Sequence, residues 1–83
     1  MICIFAAKCD EYDSNVKLYH SAKDTKLTRY AVRGMEEIKK EIEETVGKAM
    51  HDLRRPAEGV IRDVALSTLA YFNAWLVRRG GWS

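Results

Sequence analysis

Ile61-Arg62-Asp63-Val64-Ala65-Leu66-Ser67-Thr68-Leu69-Ala70-Tyr71-Phe72-Asn73-Ala74-Trp75-Leu76-Val77 is the stretch whose reading decides the fold. Placed on a helix at 100° per residue, Ile61, Val64, Ala65, Leu66, Leu69, Phe72, Trp75, Leu76 and Val77 cover well over half of the circumference. The remainder is a narrow strip around Asp63, Ser67, Ala70 and Ala74. A helix apolar over so wide an arc needs cover from more than one side. At about 25 cal/mol per Å², leaving Leu66, Phe72, Trp75 and Leu76 half exposed forfeits on the order of several kcal/mol, a large part of a small domain's stability. Gly80-Gly81 stops the pattern, so the reading is a helix over 57–79.

Upstream lies one partner for it. Leu27, Ala31, Met35, Ile38, Ile42, Val46, Ala49 and Leu53 recur at spacings of 4, 4, 3, 4, 4, 3 and 4, a single continuous stripe. The stripe predicts a helix over 24–55, roughly 45 Å long if unbroken. Asp24 or Ser21 supplies its N-cap, and Pro56 closes the far end. Gly34 and Gly47 each weaken it by about 1 kcal/mol relative to alanine and mark a kink or a close approach. The short link Arg55–Gly59 makes the two helices antiparallel neighbours. One stripe shields one side only. The second cover therefore falls to the N-terminal segment or to another copy of the chain.

That N-terminal segment, 1–22, reads as a short β-hairpin or extended piece. Residues 2–8 are a brief apolar run, Asp10 to Asn15 carry turn chemistry, and Val16-Lys17-Leu18-Tyr19-His20 alternates as a strand does. A short helix is the rival. The expected fold is thus one helix-dominated α+β domain over 1–83: a long antiparallel two-helix hairpin preceded by a β-hairpin or extended segment. A chain this short has a thin core.

Composition narrows the class. The chain is 47% hydrophobic and 31% charged, which is globular rather than disordered. A net charge of +2 announces neither a general polyanion binder nor an acidic mimic. Cys3 and Cys9 stand at a C-x5-C spacing that is neither a zinc nor a redox motif. On an extended segment they lie about 20 Å apart, too far to bridge, so free thiols in a reducing, cytoplasmic setting are expected. The start of the chain has no secretory pattern, and Val64–Val77 is short for a span and holds Ser67, Thr68 and Asn73, so no membrane role is expected.

No catalytic, cofactor-binding or metal-ligating residue is nominated. His20 and His51 have no evident link, and His51 and Asp52 point about 100° apart on a helix. Nucleophile-elbow, phosphate-loop and H-E-x-x-H motifs are missing from the sequence. Glu36, Glu37, Glu41, Glu43 and Glu44 interleave with Lys39, Lys40 and Lys48, which reads as a salt-bridged, solvated face.

Two surfaces remain as candidates. Leu66, Leu69, Phe72, Asn73, Trp75 and Leu76 are the candidate self-association face, with Asn73 either a satisfied core amide or a register-setting contact between copies. The second is basic. Residues 17–33 hold Lys17, Lys23, Lys26, Arg29 and Arg33 against Asp24 alone, and Lys26, Arg29 and Arg33 fall within about 60° of one another on the helix. An antiparallel return brings Arg78, Arg79 and Trp82 towards them and towards Tyr30. The expectation is a small, non-catalytic interaction protein (a regulator, inhibitor or adaptor) that binds a macromolecular partner, such as another protein, stoichiometrically and forms a homo-oligomer through its second helix. The alternative is a binder of nucleotide or nucleic-acid backbone at Lys26, Arg29, Arg33, Arg78, Arg79 and Trp82.

Overall fold

The 24–55 pattern folds as one uninterrupted helix, α2 (Thr25–Arg54). Asp24 is its N-cap: the backbone there is extended, and its Oδ1 accepts the Leu27 N–H at 2.8 Å. The computed structural model describes residues 2–55 and 58–81, the side chains of residues 2 and 3 excepted. Pro56, expected to close α2, lies outside the described residues. The last helix, α3 (Gly59–Arg79), ends on two left-handed glycines, Gly80 (φ 75°) and Gly81 (φ 102°). Gly81 N–H donates to Leu76 O at 2.9 Å and Gly80 N–H to Val77 O at 3.3 Å, so these two carbonyls of the final turn are satisfied.

The N-terminal expectation is overturned. Residues expected to be a β-hairpin or extended segment form a 20-residue helix, α1 (Ile2–Ser21), and no strand occurs among the described residues. Instead of a two-helix hairpin, the fold is a three-helix bundle. The reason lies in a stripe that the surrounding residues mask. Phe5, Cys9, Tyr12 and Val16 recur at spacings of 4, 3 and 4, which puts them on one helical face. Phe5, Cys9 and Tyr12 are buried on that face, and Val16 packs against them. The turn-forming residues between them, Asp10, Glu11, Ser14 and Asn15, merely occupy its outer and flanking positions. The weak helix propensity of Asp10, Ser14 and Asn15, a few tenths of a kcal/mol each, yields to the burial of Phe5, Cys9 and Tyr12.

Helix α2 acts as a spine. Helix α1 runs antiparallel along its N-terminal part, with Lys8 ion-paired to Glu41 and Asn15 lying against Gly34. Helix α3 runs antiparallel along its C-terminal part. The three overlap only in the middle, where Phe5, Cys9, Tyr12, Ile42 and Trp75 form the buried centre, flanked by Met35, Val46, Phe72 and Leu76. The bundle is accordingly elongated, 50 × 21 × 18 Å. The α1–α3 interface is the smallest of the three, and it is aromatic. Phe5 meets Tyr71 edge-on at 5.9 Å, and Tyr12 meets Trp75 edge-on at 5.6 Å. Such pairs add about 0.5–1.5 kcal/mol each beyond the area they bury.

Gly34 marks a close approach, not a kink. A Cβ there would lie 2.7 Å from Asn15 Oδ1, while the Asn15 amide donates to Glu11 O at 3.0 Å. Gly47 faces open space. Replacing Gly34 by alanine therefore sets a helix-propensity gain of about 1 kcal/mol against displacement of Asn15. We expect Gly34→Ala to stabilise an Asn15→Ala protein and to give less than that gain, or a loss, in the wild type. Urea unfolding of the four proteins of this cycle measures the coupling; equal effects in both backgrounds would contradict it.

Candidate functional site

Helix α3 stops at the level of Asp13, and the way it stops shapes the surface above. Trp75 Nε1 donates to Asp13 Oδ2 at 2.9 Å, and Arg79 Nε donates to Asp13 Oδ1 at 3.2 Å. The guanidinium carbon of Arg79 sits 4.8 Å from the Tyr12 ring centre and 4.7 Å from that of Trp75. Arg79 Nη1 also donates to Gly81 O at 2.7 Å. With its side chain 13% exposed, Arg79 is a clamp between α1 and α3, held by charge, by two aromatic faces and by the Gly81 carbonyl.

Above this clamp, α1 and α2 continue alone as a two-helix tip. Lys26, Arg29, Tyr30 and Arg33 border one shallow depression on the first turns of α2. All four are exposed, Tyr30 to 70%. None of the three cations forms an ion pair among the described residues. The only carboxylate between Ser21 and Arg33, Asp24, is engaged with the backbone at the N-cap. Lys17 and Lys23 are also exposed in this end of the molecule. Tyr30 and Arg33 also line the next depression along the bundle, and there Glu11, Glu37 and Glu41 join them together with Lys8. The positive patch thus has an edge.

The nominated basic residues are therefore only partly united. Lys26, Arg29 and Arg33 stand together, as their spacing implies. Arg79 is committed to Asp13 on α1, and Arg78 is exposed beside it on α3. The antiparallel return falls short of the tip because α3 has 21 residues against 30 in α2. Trp82 lies outside the described residues.

The face nominated for self-association divides in two. Trp75 is 2% exposed, and Phe72 and Leu76 pack against the same buried cluster. The second cover that these residues require is α1. Leu69 is half-buried, whereas Leu66 is 50% exposed and Asn73 also faces outward, so Asn73 is no core amide.

Cys9 is fully buried, and burial, reinforced by Asp13 and Asp10, pushes its thiol up to about 11, so it is not a thiolate near neutral pH. The side chain of Cys3 is outside the description, but six residues of helix separate the two cysteines by about 9 Å of rise, which still forbids a bridge. Asp52 is buried beside Lys48 (3.2 Å) and Arg55 (3.3 Å), and the Lys48 hydrogen bond holds its carboxyl below the usual range. That is a structural ion triad at the end of α2. No group of three His, Cys, Asp or Glu among the described residues is placed to hold a metal. No helix of the described residues is long and apolar enough to cross a membrane.

Sequence reasoning missed Asp13, assigned to a turn. The signal that could have found it was the 5-9-12-16 stripe, which makes 13 a flanking position facing a neighbouring helix. No protein-family model, curated protein or solved structure matches the chain.

Removing the Asp13 carboxylate takes away the acceptor that the buried Trp75 indole N–H and the Arg79 Nε share. Asp13→Ala should cost about 1–3 kcal/mol in chemical denaturation, and Asp13→Asn, which keeps one oxygen for Trp75, should cost less. Equal losses in the two variants would show that the acceptor role is not what matters.

Proposed function

We propose that the protein is a non-catalytic interaction module, a regulator, inhibitor or adaptor, that binds the acidic surface of a protein partner stoichiometrically through the α1–α2 tip. One observation carries this reading: Lys26, Arg29 and Arg33 surround a Tyr30 ring that is 70% exposed, with no acidic side chain paired to them among the described residues. Lys26, in the first turn of α2, opposes the helix dipole at a cost of about 0.3–1 kcal/mol at low salt. An apolar ring left in water forgoes its burial energy as well. An anionic surface seated on the tip relieves both. Tyr and Arg are also the side chains that most often dominate binding energy at protein interfaces. The edge formed by Glu37 and Glu41 confines such a partner to the end of the bundle.

The inert state of Cys9 and the structural role of Asp52 support a binding role over a chemical one. A second reading, nucleic-acid backbone or nucleotide, is favoured by Tyr30 itself: a ring among three cations is also suited to stack a base while the phosphates are neutralised.

Anisotropy titrations with two labelled probes, a polyglutamate peptide and a single-stranded oligonucleotide, separate these readings at about 50 mM salt, where exposed charges are weakly screened. We expect the peptide to bind, with at least tenfold weakening in the Arg29→Glu/Arg33→Glu variant and unchanged helical circular dichroism. Binding of the oligonucleotide alone would favour the second reading. Silence with both probes would contradict the two together.

A further inference from the structure

The outer face of α3 has a property that a merely exposed helix face does not have. Leu66, Ala70, Asn73 and Val77 lie within about 60° of one another, directly away from the core. All four are exposed, Leu66 to 50% and Val77 to 73%. Their spacings, 4, 3 and 4, read the same from either end. When this helix meets an identical one running the opposite way, Leu66 falls opposite Val77 of the second copy and Ala70 opposite Asn73, and both pairs recur across the twofold axis. The small side chain at 70 lets the two backbones approach. The two amides at 73 straddle the axis beside it.

The flanking charges obey the same symmetry. On one side of the strip stand Asp63 and Arg78, both exposed and neither in an ion pair among the described residues. In the register set by the apolar pairs, Asp63 lies beside Arg78 of the second copy, and Arg78 beside its Asp63. An isologous interface needs a surface complementary to itself, and this one is so in shape and in charge.

We infer that α3 forms an antiparallel homodimer across Leu66, Ala70, Asn73 and Val77, with Asp63 and Arg78 paired between copies. This deepens the expectation of self-association through this helix, keeps Leu66 and Asn73 of the expected face but not the inward Phe72, Trp75 and Leu76, and is independent of the basic tip. A single helix pair is at the low end of stable interface sizes, so the association is weak and is read between about 10 μM and about 1 mM.

Sedimentation equilibrium of the full chain over that range tests it. The wild type should show a monomer–dimer equilibrium, and Val77→Glu and Leu66→Glu should each be monomeric with unchanged circular dichroism. Asp63→Arg and Arg78→Asp should each weaken the dimer about tenfold, since each replaces two attractions with two repulsions. An equimolar mixture of those two variants should recover association, because one then carries two arginines opposite the other's two aspartates. Arg29→Glu/Arg33→Glu should leave the dimer intact, so failure of the tip reading and failure of this one are distinguishable. A wild type that stays monomeric to about 1 mM would overturn the inference. So would a dimer that survives Val77→Glu, or a mixture that fails to recover, since either places the contact elsewhere.

Discussion

The inner arc of α3 is wider than one helix can shield, and the molecule is organised around that constraint. Helix α2 offers a single apolar stripe and covers one side. The other side is closed by α1, whose Phe5 and Tyr12 meet Tyr71, Phe72 and Trp75 ring to edge. Aromatic contact alone does not fix the axial position of one helix against another. The Asp13 carboxylate does so, accepting from Trp75 and Arg79 and drawing the guanidinium between two rings. With both carboxylate oxygens engaged, the half-buried Asp13 gives the largely buried Arg79 guanidinium a charged partner and favours one arrangement of the two helices.

The surfaces available for binding follow from helix length. A spine of 30 residues carries partners of 20 and 21, one towards each end. Where α1 and α2 outrun α3, Tyr19, Leu27 and Tyr30 are exposed; where α2 and α3 outrun α1, Met50, Val60 and Ile61 are. The mismatch leaves the cationic tip free of α3, and α3 keeps an outer face that nothing among the described residues covers. Packing thus consumes the aromatic half of α3 and spares the half built of Leu66, Ala70, Asn73 and Val77. The two proposed contacts lie on different elements, so one protein can hold a second copy and another partner at the same time.

Local features were legible in the sequence, and register between helices was not. The stripe of α2, the Asp24 cap and the Gly80-Gly81 stop each depend on residues within a few positions of one another, and each stands where the pattern implies. The need for a second cover on α3 was legible too, as a statement about area. Its source was not, because Ile4, Ala6 and Ala7 blur the stripe of α1 and Asp10 to Asn15 imitate a turn. Similarly, Lys26, Arg29 and Arg33 share a face by spacing alone. Whether Arg79 joins them depends on where α3 ends against α1, which is decided by Asp13, 66 positions away in the chain. That contact is visible only once the helices are packed.

The indole of Trp75 reports on this packing most directly. In an assigned NMR spectrum, its Nε1 proton should exchange slowly and its ring protons should show cross-peaks to the Tyr12 ring, because the bond to Asp13 and the burial of the ring demand both. A Trp75 indole proton exchanging at the rate of a free peptide, with no cross-peak to α1 while the helical circular dichroism persists, would mean that α1 does not cover α3.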